Sequence, residues 1–249
     1  VTQLTQFDAT QSILRHHAKS ADPATLWQHS VILHGASGRG GALESANIPH
    51  DYRHYTPVDA PPLDSQPKAK AIVARYTQLI GEHFTTGHRL KSLYFVSASP
   101  GTGKTTVACA MLNEFIAVNY VAGLHDKPNY RNPAYFLDAN EWQATYNLGV
   151  TLGDGNAYLQ KFTRQLEKAL TAQLCVIDDL AVSALTDGFR RHLHTLINGR
   201  MLAGKPTIYT SNVPMSELLL SLGDDRLADR VKDMCAEVAF VGGSKRGMR

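Results

Sequence analysis

The sequence predicts an α/β fold with a mainly parallel sheet flanked by helices. Three observations point there. Short apolar runs at Leu93 to Val96, Ala134 to Leu137, Leu174 to Ile177, Pro206 to Thr210 and Glu237 to Val241 alternate with longer segments of helical period. The first run passes through a glycine-bearing loop straight into the apolar-periodic segment Val107 to Val118, which is a strand, a turn and a helix. The chain has 249 residues, 43% hydrophobic and 19% charged, which suits one large globular domain with a small appendage.

The elements follow in order. Residues 1 to about 35 read as helical. Asp8, with Gln11 three residues on, forms a capping box for a helix to about Ala18. Asp22-Pro23 opens a second helix, with proline at the favoured first position and Leu26, Trp27, Val31, Ile32 and Leu33 as its apolar members. Gly35-Ala36-Ser37-Gly38-Arg39-Gly40-Gly41 then reads either as a flexible hinge or as an ordered loop on the main domain. The division expected is residues 1–45, an N-terminal helical segment for binding a partner, and 46–249, the nucleotide-binding domain. Pro49, Pro57, Pro61, Pro62 and Pro67 make the next stretch irregular, and Lys68 to Phe84 is helical, with Ile72, Tyr76, Leu79 and Ile80 on one face. Further helices are expected at about 140–148, 156–172 and Thr186 to Ala203.

Composition excludes several classes. A net charge of +3 is mildly basic, compatible with nucleic acid without indicating it. Cys109, Cys175 and Cys235 are isolated, with no Cys-x-x-Cys pair, so neither a zinc knuckle nor a disulfide framework is supported and a cytoplasmic location is expected. No apolar run approaches the length of a membrane span and no signal peptide is visible, so no membrane partner is expected. Histidine pairs such as His16-His17 and His192/His194 lack metal-ligand spacing and read as surface polar residues.

The chemistry sits in Ser99-Pro100-Gly101-Thr102-Gly103-Lys104-Thr105-Thr106. Loop amides here can wrap a polyphosphate, and the helix start adds partial positive charge. Lys104 is placed to reach the β- and γ-phosphates and the Thr105 hydroxyl to hold Mg²⁺. The P-loop pattern asks for glycine at position 98, where this chain has Ala98; that position need not adopt positive φ. Some seventy residues on, the apolar strand Leu174 to Ile177 ends in Asp178 and Asp179. Strand ends of open α/β sheets face the ligand crevice. Asp178 would hold the magnesium shell, and Asp179 would orient or deprotonate an attacking water. Aspartate is shorter than the glutamate common at this second place, which predicts slow hydrolysis or hydrolysis that needs a partner. Asn212, just past the strand ending in Thr210, is a candidate to position that water. Arg226 and Arg230 lie four apart on one helical face, where one can serve a neighbouring subunit's γ-phosphate or simply pair with Asp229.

The order of five blocks resembles the DnaC/DnaI/IstB group of AAA+ ATPases. These are Ile48-Pro49-x-x-Tyr52-Arg53, Gly101-x-Gly103-Lys104-Thr105-Thr106, Val176-Ile177-Asp178-Asp179, Gly204-Lys205-Pro206-Thr207-x-x-x-Ser211-Asn212 and Arg226-x-x-Asp229-Arg230, across roughly residues 45 to 249. The resemblance implies an AAA+ core without a C-terminal lid domain, ATP and Mg²⁺ as ligands, and self-association into an oligomer. It implies Asn212 as a polar sensor and Arg230 as the arginine finger, with Arg226 an alternate and Arg246 in a sensor-like place. As partners it implies a hexameric replicative helicase, or a transposase, together with single-stranded or possibly duplex DNA. Helicase loading is the leading reading, with an IstB-like transposition ATPase as the alternative; a small-molecule kinase or a non-hydrolysing scaffold fits less well. The zinc module of the DnaI branch is absent, since residues 1 to 60 contain no cysteine. Lys161, Arg164 and Lys168 form either a phosphate-tracking stripe or a solvated helix face.

Overall fold

The structure, a computed structural model, describes residues 12–17, 22–153, 155–180, 185–218, 222 and 225–244. Five strands form one sheet: β1 (Ser92–Val96), β2 (Ala134–Asp138), β3 (Leu174–Asp178), β4 (Thr207–Ser211) and β5 (Cys235–Ala239). Their order is β2-β3-β4-β1-β5 and every pairing is parallel. The helices are α1 (Pro23–His34), α2 (Gly41–Ser45), α3 (Pro67–Thr86), α4 (Lys104–Leu124), α5 (Ala139–Leu152), α6 (Ala157–Thr171), α7 (Asp187–Leu202) and α8 (Asp225–Met234). The last strand starts two residues earlier than its apolar run suggested, because Cys235 pairs with Ser92 at the start of β1.

Side chains alternate across the sheet, so each strand feeds two cores. Leu93, Phe95, Phe136, Val176, Ile208 and Val238 face α3 and α4, while Tyr94, Leu137, Ile177 and Tyr209 face the side that holds α5, α6, α7 and α8. This is why the strands read as continuous apolar runs: both faces are covered. Among the described helices α4 alone has the length and hydropathy to cross a membrane, and 67% of that stretch is buried inside the protein.

The N-terminal residues share the first of these cores. Ile13, Leu14, Leu33, Leu43 and Ile48 are buried with the residues of α3 and α4. Asp22 caps α1 by accepting from the amides of Ala24 and Thr25, both at 3.0 Å. Of the helix expected before Ala18, residues 1–11 and 18 lie outside the described residues; Ile13–His16 form a 3₁₀ turn. The glycine run makes a tight turn in the structure. Gly41 has φ +70° and a Cβ there would overlap the Leu33 carbonyl, while a Cβ on Gly35 would lie 2.9 Å from the Gly40 Cα. Close backbone approach, with positive φ, is what these glycines supply. His16 and His17 are also more engaged than surface histidines: His16 meets Asp59 at 3.3 Å and His17 meets Glu114 of α4 at 3.2 Å.

One edge of the sheet is closed. The Phe136 amide of β2 donates to the Ala46 carbonyl at 2.8 Å, and Asn47 Nδ2 donates to the Phe136 carbonyl at 3.0 Å. Asn47 takes φ +58° to do so, a conformation asparagine tolerates better than most residues.

Candidate nucleotide site at the carboxyl ends of the strands

The loop from β1 to α4 is shaped by Gly101 at φ +76° and Gly103 at φ +99°. Ala98 is not among the non-glycine residues with positive φ, so the glycine of the usual pattern is dispensable here. Ser97 Oγ accepts from the Ser99 amide at 3.3 Å, and Thr106 is buried behind the helix start. Thr102 is buried, and its Oγ1 has no partner among the described residues. Pro100 and Gly101 complete the turn, after which α4 begins at Lys104. Pro62, in the 3₁₀ turn Pro61–Ser65, lies directly against Gly103, where any Cβ would overlap its ring. That turn is held by Gln66, whose amide group pairs with the backbone of Val241 beyond β5 at 2.6 and 3.0 Å.

Four predicted residues, from the start of α4 and two strand ends, converge. Lys104 Nζ donates to Asn212 Oδ1 at 2.7 Å. Thr105 Oγ1 donates to the Asp178 carboxylate at 3.0 and 3.1 Å. Thr210, which sequence reasoning passed over, joins the two acids: its hydroxyl donates to Asp178 Oδ1 at 2.6 Å and accepts from the Asp179 amide at 2.9 Å. Only its place two residues before Asn212 marked it. Asp179 has φ +55°, which turns the chain sharply out of β3 beside its neighbour.

Burial pushes the Asp178 carboxyl up to about 7, reinforced by the charge of Asp179 and opposed by the hydroxyls of Thr210 and Thr105. A carboxylate and a threonine hydroxyl within hydrogen-bond reach are hard oxygen donors of the kind Mg²⁺ takes alongside substrate phosphates, so the residues present fit that ion. A dication at this spot would favour the charged carboxylate that burial alone resists.

The predicted arginines stand apart from this cluster. Arg230 of α8 donates to Asn198 Oδ1 of α7, and Arg226 is exposed. Arg246 lies outside the described residues. The stripe on α6 is divided: Lys161 pairs with Glu141 at 2.7 Å, whereas Lys168 turns away to the Ser45 carbonyl at 3.3 Å. The cysteines are free, and no cluster of metal-ligating side chains occurs among the described residues.

No protein-family model matches the sequence, and no curated protein does. Solved structures do match. DnaI aligns with a TM-score of 0.58 at 18% identity, over 78% of this chain and 95% of that one. The DnaC helicase loader aligns with a TM-score of 0.51 at 22% identity, over 71% and 90%. AMPPCP-bound DnaA from Aquifex aeolicus aligns with a TM-score of 0.50 at 17% identity, over 74% and 50%. Together with the sheet order and the P-loop, these likenesses show a DnaC/DnaI-like AAA+ fold.

Proposed function

We propose that this chain is a MgATP-dependent ATPase that works as a helicase loader on DNA. One observation carries the nucleotide reading: Lys104, Thr105, Asp178 and Asn212, from a P-loop helix and two strand ends, are already in hydrogen-bond contact at the mouth of the glycine loop. The amides of residues 99–106 cradle the phosphates, and Lys104 divides its three donors between phosphate oxygens and Asn212. Thr105 and Asp178 would hold Mg²⁺, which when bound would supply positive charge beside the substrate's phosphates. Asp179 accepts the proton of the attacking water, Asn212 orients it, and ADP and phosphate leave. Arg230 acts on the γ-phosphate of a neighbouring subunit, so turnover depends on self-association. The loader role is supported by the near-complete coverage of the DnaI and DnaC chains. Three free cysteines suit a reducing cytoplasm.

Calorimetry with MgATP tests the site: Lys104→Ala should lose at least a hundredfold in affinity, and Arg230→Ala should lose turnover with affinity near normal. If Arg230→Ala weakens affinity alone, the finger assignment fails. The partner is tested by co-purification with a hexameric helicase. Deleting residues 1–35 would strip Ile13, Leu14 and Leu33 from the core, so the exposed Ile32→Glu on α1 is the better probe. It should release the helicase and spare MgATP binding. ATP-dependent filaments on duplex DNA, without helicase capture, would favour the transposition reading instead.

A further inference from the structure

The amino ends of the strands form the opposite edge of the sheet, and there the charge is inverted. Two cavities of about 640 and 740 Å³ open on this edge. The residues lining them include Arg89 and Lys91 before β1, Lys205 before β4, Arg131 before β2 and Lys168 from α6, against Asp233 as the single carboxylate. The cavities adjoin. Lys205 Nζ, in the first, donates to the carbonyl of Thr171, which lines the second, at 2.9 Å.

In an α/β sheet this edge normally carries helix C-termini, whose free carbonyls repel anions. Here those carbonyls are consumed. Arg200, almost fully buried, donates to the carbonyls of Ala169, Ala172, Gln173 and Pro206 and to Thr207 Oγ1, with no carboxylate partner among the described residues. Lys205 takes the carbonyls of Leu170 and Thr171. Arg89, Lys91 and Arg131 are exposed, and their side chains have no hydrogen bond or ion pair among the described residues. Because strands β2, β3, β4 and β1 lie side by side, the cations from Arg131 to Lys91 form a row about 14 Å long at the usual strand spacing of about 4.8 Å.

We propose that this row binds the phosphodiester backbone of a nucleic acid, on the edge of the sheet remote from the nucleotide site. A linear polyanion is the ligand that meets every cation of such a row at once, and the binding needs no base recognition. The inference rests on the reading that the chain acts on DNA, but not on the ATPase site.

The test is fluorescence anisotropy without nucleotide, using a labelled oligothymidine and a labelled duplex across a salt series, with polyglutamate as a competing polyanion. Arg89→Ala/Lys91→Ala/Arg131→Ala removes three exposed, unbonded side chains and should melt as wild type does. It should bind DNA at least tenfold more weakly, with the slope of log K against log salt reduced by about 2. Lys161→Ala/Arg164→Ala, on the α6 face, should bind normally. The two DNA arms decide between single strand and duplex. Wild-type affinity in the triple variant overturns the proposal, as does failure of both DNAs to bind, or displacement of DNA by polyglutamate at equal charge, which would indicate an acidic protein partner. Each of these results leaves the MgATP reading intact, since calorimetry measures that separately.

Discussion

The two ends of this sheet solve opposite electrostatic problems. At the carboxyl ends the P-loop helix starts with free amides, and the strands deliver carboxylates, Asp178 and Asp179, held under strain by burial and by a left-handed backbone. At the amino ends the closing carbonyls of α6 are taken up by cations, of which Arg200 is buried and, among the described residues, bonds only to neutral oxygens. Buried charge at the first end is a cost kept for function. Buried charge at the second is structural glue, because it replaces several unsatisfied carbonyls with charge-assisted bonds.

That contrast breaks if the two charges respond alike to removal. Arg200→Met should lower unfolding free energy by about 4 kcal/mol, read by urea denaturation, because it takes the donor from the Ala169 and Ala172 carbonyls at the end of α6. MgATP affinity should stay near normal. Asp178→Asn should do the reverse. Its folded carboxyl binds a proton more tightly than the unfolded one, from about 7 against 3.8, so the native state loses stability as pH rises through that window. Measured without metal or nucleotide at about pH 8, the variant should be more stable than wild type, on the order of 3 kcal/mol, with the gain vanishing near pH 4. Magnesium-dependent turnover should be lost.

A titratable group at the end of α1 sharpens the comparison. Burial, then the charges of Arg15 and Arg53, press the His34 ring down to about 4, and its Nε2 accepts the Ile13 amide at 3.2 Å. Its sign is opposite to that of Asp178. Stability is full above the unfolded value of 6.5 and falls as pH drops toward 4. In the Asp178→Asn background, where the opposing slope is gone, denaturation at about pH 5 should show about 2 kcal/mol less stability than at about pH 7.5. Replacing His34 by Gln should flatten that dependence. The smallest effect belongs to the α6 surface. Lys161→Ala breaks an exposed ion pair with Glu141 and should change stability by less than about 0.5 kcal/mol.

Most of the carboxyl end was legible in the chain, because its residues sit at strand and helix termini that short patterns mark. The P-loop, the two acids and Asn212 each follow an apolar run directly. The amino end was not. Arg200 falls in the last turn of a helix, in a segment reading Asn198-Gly199-Arg200, where an arginine ordinarily points to solvent; only the tertiary structure reveals that it reaches Thr207 and the carbonyls around it. The glycine run stayed open between two readings for the same reason. Composition alone does not show that Gly41 turns against the Leu33 backbone, where a Cβ would not fit. Pro62 and Gln66 likewise do their work against residues far along the chain, Gly103 and Val241, and no local pattern announces such pairings.

Ala46 and Asn47 occupy the hydrogen-bonding positions at Phe136 on the outer rim of β2. A foreign strand seeking to extend the sheet there finds that donor and acceptor already taken, and would have to evict a segment whose neighbours, Leu43 and Ile48, are anchored in the interior. Pairing through the backbone of β2 is thus blocked at Phe136, the middle residue of that strand. A short segment from early in the chain thereby does for this flank what a sixth strand would otherwise do at that one position.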